Sequence, residues 1–144
     1  MIVKIKLLNG NAKCPFYATL GSSGLDLCSS SIDDIIVKPF SRVLVSTGLS
    51  IEIPLGMEAQ VRSRSGLALK SGVIVLNSPG TIDSDYRGEI GVILMNLSNE
   101  DFVVKCGMKI AQMVFQKVEK IDIEIVEELS HTIRGDGGFG STGV

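Results

Sequence analysis

Apolar and polar residues alternate with a period of two over many short stretches of this chain, and turn-forming residues separate those stretches. Met1–Leu8 alternates as a strand does. Runs rich in β-branched residues follow at Ile35–Lys38, Arg42–Ser46, Leu49–Ile53, Met57–Arg62, Val73–Leu76, Glu89–Leu97, Phe102–Lys105, Ile110–Val118 and Ile121–Val126. Strands of this length and spacing predict an all-β sandwich, jelly roll or barrel. Ile51–Ile53 and Glu58–Arg62 alternate as half-buried strands, whereas Gly91–Met95 is continuously apolar and predicts a strand covered on both faces, fit for a subunit interface. Ser65–Lys70 with a residue or two beyond predicts the one short helix, stopped at Gly72. Glu119–Glu128, acidic and interrupted, predicts a last strand running into a C-terminal arm.

A chain of 144 residues suits one domain with a core large enough to need no disulfide staples. A formal net charge of −2 argues against bulk binding to nucleic acid or an anionic membrane, so recognition of any phosphate has to be local. No segment has the length of a membrane span, and Met1–Leu8 lacks the pattern of a signal peptide. Three cysteines, Cys14, Cys28 and Cys106, are odd in number and not spaced as metal ligands, which fits reduced thiols in the cytoplasm. The single histidine, His131, excludes multi-histidine metal sites and is read as a surface residue before the tail.

Chemistry gathers in five segments. Arg134–Gly143 sets one Arg, one Phe and a Ser-Thr pair on a glycine scaffold: the glycines let successive N–H groups face one anion, and Phe139 offers a stacking face. Gly80–Gly88 holds two acids, a Tyr and an Arg. Since neither Thr81 nor Ile82 favours a turn, Asp83 falls at the end of an extended segment, where a carboxylate can deprotonate a water. Arg62–Ala68 leads into the helix with a flanking guanidinium and the Ser65 hydroxyl suited to an anion, or with a plain N-cap followed by Gly66 and surface arginines. Asn77 carries the paired donor and acceptor that match the edge of a uracil-like base, though it also suits a turn. Asp26, between two leucines, is a turn residue or an acid that holds Mg²⁺ through water, and Gln112 is a polar residue in an apolar strand that needs a partner.

Taken in order, Ser23–Leu27, Arg64–Ala68, Asn77–Gly88, Gly107–Met113 and Arg134–Gly143 resemble the five motifs of the trimeric dUTPase family, across nearly the whole chain. The resemblance implies a jelly-roll-like β-clip subunit with one short helix, assembled as a homotrimer whose active sites are each built from three chains. Residues 1–130 would form the β-barrel domain and 131–144 the flexible arm that closes the site. The implied reaction is hydrolysis of dUTP to dUMP and pyrophosphate with Mg²⁺, lowering dUTP and supplying dUMP for thymidylate synthesis.

By the same resemblance Asp83 positions the attacking water, and Tyr86 packs under the sugar and disfavours a 2′-hydroxyl. Asn77, with the chain at Gly80, Thr81, Ile82 and Gly91, would read the uracil edge, while Arg64, Ser65 and Gly66 would hold phosphates. Asp26 and Gln112 would support Mg²⁺ and its waters, Gln112 also counting among the substrate contacts. Arg134, Gly140, Ser141 and Thr142 would grip the terminal phosphate as Phe139 caps the base. Ser63 and Ser71 depart from the Pro and His common in the family, and Cys28 has no assigned role. A dCTP deaminase of similar fold and a non-catalytic dUTP-sensing protein are the competing readings. The complete fifth motif and Asp83 favour hydrolysis.

Overall fold

A computed structural model describes residues 1–140. Eleven strands and one helix are arranged among the described residues: β1 (Lys4–Leu7), β2 (Leu25–Cys28), β3 (Ile35–Val37), β4 (Arg42–Ser46), β5 (Leu49–Glu52), β6 (Met57–Arg62), α1 (Ser65–Ser71), β7 (Val73–Val75), β8 (Gly80–Ile82), β9 (Gly91–Asn96), β10 (Phe102–Val104) and β11 (Lys109–Lys117). A four-stranded sheet runs β2-β11-β6-β8 and a three-stranded sheet β4-β9-β7, with β1-β5 and β10-β3 as two smaller pairs. Every pairing is antiparallel. The expectation of a mostly β chain with one short helix therefore holds.

Alternation along the strands makes the core. Ala59 and Val61 of β6, Val92 and Leu94 of β9, Leu49 and Ile51 of β5 and Ile110 and Met113 of β11 all turn inward into one apolar cluster to which all four sheets contribute. Their neighbours Gln60, Ile93, Ser50 and Gln112 point the other way and are only half-buried. A deeply buried amide ties this core to its edge: Asn96 Nδ2 donates to the carbonyls of Val37 (2.8 Å) and Glu100 (2.7 Å), and its Oδ1 accepts from Ser98 N (2.9 Å). Such a group is tolerated in a core because its hydrogen-bonding capacity is used.

The helix ends where the glycine predicts. Gly72 adopts a left-handed conformation (φ 63°), and its N–H caps the carbonyls of Ala68 and Leu67. Gly48 is a second enforced glycine, at φ 67°, where a Cβ would lie 2.7 Å from that of Ala12.

Three expectations need correction. Ile121–Val126 forms no strand; its alternating isoleucines are exposed and find no neighbouring strand edge among the described residues. Leu25–Cys28, read from sequence only as an acid between leucines, is a strand paired with β11. Gly91–Met95 is not covered on both faces: Val92 and Leu94 are buried, while Ile93 and Met95 on the opposite face are half-buried beside Leu44, which is 66% exposed.

The two faces of β9 predict unequal costs. Leu94, 0% exposed, should lose about 2–5 kcal/mol of stability on Leu94→Ala, measured by urea unfolding. A loss below about 1 kcal/mol would contradict its placement in the core.

Candidate active site

Two hollows carry the residues singled out from sequence, and they share no lining residue. The first lies where β6, β8 and the start of β9 meet. Its lining includes Asn77, Gly80, Thr81, Ile82, Asp83, Tyr86 and Gly91, so the residues singled out in the third segment face one cavity. Pairing of Val61 with Gly80 and Ala59 with Ile82 extends the chain as β8, which delivers Asp83 to the end of a strand as expected. Gly80 packs closely against its neighbour: a Cβ there would stand 3.0 Å from Asn77 Nδ2, so the amide would have to shift by a few tenths of an ångström.

The loop after Asp83 is held by its own backbone. Tyr86 N donates to the Asp83 carbonyl (3.2 Å), and Arg87 Nη1 donates to the carbonyls of Ser84 (2.7 Å) and Tyr86 (2.9 Å). The Tyr86 hydroxyl donates to the Glu89 carbonyl at 3.0 Å. Its ring closes over Gly88 so tightly that a Cβ there would lie 2.5 Å from the ring Cζ. Arg87 is thus a loop brace, and Tyr86 stands at the cavity wall with its hydroxyl already engaged.

The second hollow is lined by Ser23, Gly24, Asp26, Arg64, Ser65, Gly66 and Gln112, which joins the first, second and fourth segments. Strand register explains the meeting. On β11, Gln112 lies opposite Asp26 of β2 on one side and Arg62 of β6 on the other. Arg64 Nε pairs with Asp26 Oδ1 at 3.1 Å and Arg64 Nη1 donates to the Lys109 carbonyl at 3.2 Å. Lys109 Nζ pairs with Asp26 Oδ2 at 2.6 Å and lies 5.2 Å from the centre of the Phe16 ring. The Asp26 side chain is only 13% exposed, so its charge is compensated by two cations rather than by bulk water.

Gln112 also differs in detail from the reading of it as a group in search of a ligand. Its Nε2 donates to the Ser63 carbonyl at 2.9 Å, and its Oε1 occupies the space that a Cβ on Gly24 would need, 2.5 Å away. It therefore fixes the approach of the chain to α1. Ser63 takes part as well, its Oγ accepting from Val75 N at 2.9 Å. The helix begins at Ser65 itself, with Arg64 in the N-cap position and no side-chain cap bond, so the alternative of a plain serine N-cap before Gly66 does not hold.

Oxygen donors at the second hollow suit Mg²⁺, which takes one or two carboxylates and otherwise keeps water and substrate phosphate as ligands. One carboxylate beside an arginine fits a metal that arrives with a polyphosphate. Among the described residues no three His, Cys, Asp or Glu side chains are grouped as a protein-only cage.

The tail stands apart from both hollows. Arg134 Nε donates to the Gly137 carbonyl at 2.8 Å, Phe139 has a positive φ of 49° and is fully exposed, and neither cavity takes a lining residue from Arg134–Gly140. Ser141 and Thr142 lie outside the described residues. His131 is exposed, and burial pushes the Cys28 thiol above its ordinary range, as expected for an inert core cysteine.

Two side chains at these hollows were not singled out from sequence. Lys109, the second cation on Asp26, is the only charge in the otherwise apolar start of β11; Glu89 lines the first cavity directly after Gly88.

A dUTPase family model matches residues 10–143. Over the full chain and 99% of its own length, the deoxyuridine 5′-triphosphate nucleotidohydrolase of Hydrogenobaculum sp. is 59% identical. The protein of the same name from Clostridium tetani is 56% identical over 98% of this chain and 96% of its own. Among solved structures, the dUTPase of Staphylococcus bacteriophage 80alpha with dUpNHpp superposes with a TM-score of 0.86 at 26% identity, covering 99% of each chain. The dUTPase of phage phi11, described with a structural Mg(II) ion, is similar in fold with a TM-score of 0.83 at 21% identity, covering 91% of this chain and all of that one. A match over nearly every residue, joined to the order of the five segments and the fold that brings them to two hollows, makes this chain a member of the dUTPase family.

Proposed function

We propose that the protein hydrolyses dUTP to dUMP and pyrophosphate in sites shared between copies of the chain. The observation that carries the proposal is the first hollow, where Asn77, Asp83 and Tyr86 line one cavity together with Gly80. The names of the relatives and the dUTP analogue in the phage structure support the same substrate.

In this reading Asn77 and the main chain at Gly80, Thr81, Ile82 and Gly91 hold the uracil edge, and Tyr86 lies under the deoxyribose. Asp83 orients a water and takes its proton as the new P–O bond forms and the phosphoanhydride between the α and β phosphorus atoms breaks. Pyrophosphate departs against Arg64, Ser65 and Gly66. Asp26 and Gln112 would hold Mg²⁺ through water, where the ion would neutralise phosphate charge. Arg134, Gly140, Ser141 and Thr142 would close on the terminal phosphate, with Phe139 over the base.

Sharing between copies is supported by what one chain leaves unfinished. Base-side and phosphate-side residues open on separate hollows, and among the described residues the tail lines neither. The outer face of the β4-β9-β7 sheet presents Leu44 and Leu76 beside the half-buried Ile74, Ile93 and Met95. Ile121, Ile123 and Ile125 are exposed as well, Ile125 by 96%. Apolar surfaces of this kind mark association. A homotrimer is the assembly we propose, with residues 131–144 as an arm that closes the site and the rest as a barrel domain. No helix among the described residues is long and apolar enough to cross a membrane, and a cytoplasmic setting suits the substrate.

Incubation with dUTP, dCTP, dTTP and UTP in the presence of Mg²⁺ tests the substrate. Pyrophosphate should appear mainly from dUTP; ammonia from dCTP would assign a deaminase instead, and binding without release of either product would leave a dUTP sensor. Removal of residues 131–144 should abolish most turnover while light scattering still reports a trimer. Loss of the trimer on truncation would make the tail a structural arm.

A further inference from the structure

Tyr86 has an exposed edge and sits on a loop, yet sugar selection needs its ring held to a fraction of an ångström. The Asp83–Tyr86 turn is closed by one backbone bond of 3.2 Å and braced by Arg87, but neither contact holds the phenol end of the ring. That end is held at Glu89. The main-chain carbonyl of Glu89 accepts the Tyr86 hydroxyl, and one oxygen of its carboxylate, Oε1, accepts from two donors on the β4–β5 connection, Ser46 Oγ and Gly48 N (the latter at 2.7 Å).

Gly48 is a firm anchor. Its left-handed backbone is packed against Ala12, Asn9 and Ser30, and its carbonyl accepts Leu8 N at 2.8 Å. On either side the same connection is stitched to the same stretch of chain: Thr47 Oγ1 donates to the Ile90 carbonyl (2.6 Å), Ile90 N to the Leu49 carbonyl (2.7 Å) and Ser50 Oγ to the Arg87 carbonyl (2.7 Å). Of these links the carboxylate is the one made by residue 89 itself, and it closes on the residue whose carbonyl holds the phenol.

We propose that Glu89 is the positioning residue for Tyr86. By clasping Ser46 and Gly48, its carboxylate fixes the carbonyl that orients the Tyr86 ring, and so sets the preference for deoxyribonucleotides over ribonucleotides. The inference rests on the reading above, in which Tyr86 lies under the sugar. A charge-assisted acceptor for two donors is stronger than a neutral one, and freeing it releases the main chain next to the tyrosine. A glutamine keeps an oxygen able to accept both bonds; an alanine does not.

The chain has two tyrosines and no tryptophan, so Tyr17→Phe leaves Tyr86 as the sole intrinsic fluorophore. In that background, the ratio of kcat/KM for dUTP over UTP and acrylamide quenching of Tyr86 are measured for Glu89→Ala, Glu89→Gln and Ser46→Ala. Glu89→Ala should lower the ratio by about tenfold or more and increase quenching, with kcat for dUTP changing less than the ratio, whereas Glu89→Gln should hold the ratio within about threefold. An unchanged ratio in a folded Glu89→Ala trimer overturns the proposal, as does Glu89→Gln failing as badly as the alanine. Should Glu89→Ala not fold, Ser46→Ala decides: removal of one of the two donors must lower the ratio, and an unaltered ratio refutes the clasp. A parent enzyme that treats dUTP and UTP alike would instead defeat the reading of the sugar site, and is recognised before any Glu89 variant is compared.

Discussion

Register on β11 is the constraint on which the rest depends. This nine-residue strand pairs with β2 along one edge and β6 along the other, and it places Gln112 opposite both Asp26 and Arg62. A shift of one residue would turn Gln112 into the core and Met113 out of it, at the cost of a fully buried side chain. Burial of Ile110, Ala111 and Met113 therefore sets, as a by-product, where the amide, the carboxylate and the arginine meet. Chemistry at the second hollow is positioned by packing on the opposite face of the same strand.

β6 carries the consequence to the first hollow. Its middle, at Ala59–Val61, pairs with β8 and extends the chain up to Asp83, while its end leads through Ser63 into Arg64. One strand thus contributes to both hollows, yet no side chain lines both. Within the second, Arg64 and Lys109 both pair with Asp26 and balance its charge. In the proposed reading, a triphosphate held by Arg64 would compete with Asp26 for one guanidinium.

Much of this was legible in the residues themselves. Gly72 marked the helix end through its conformational freedom, alternation in Glu58–Arg62 gave the half-buried strand, and the poor turn propensity of Thr81 and Ile82 placed Asp83 at a strand end. Other features depend on partners that sequence spacing does not reveal. β2 is a strand because β11 lies beside it, across some eighty residues of chain, and a short segment with an acid in its middle carries little signal of its own. Ile121–Val126 has the alternation of a strand but no edge to pair with among the described residues, so alternation alone does not make it a strand of this fold. Lys109 and Glu89 escaped notice because single charges next to glycine-bounded turns are common; only distances to Asp26, Ser46 and Gly48 single them out.

Division of the catalytic groups between copies is the central claim, and subunit mixing measures it directly. Chains bearing Asp83→Asn and chains bearing Arg64→Ala are each assembled alone, then unfolded, mixed in equal amounts and reassembled, and dUTP turnover is recorded. Each variant alone should be nearly inactive. If Asp83 and Arg64 of one site come from different chains, random reassembly leaves about a quarter of the sites intact and restores activity in that proportion. Mixed assemblies no more active than their parents would show that both residues serve a site from the same chain, and would contradict the account.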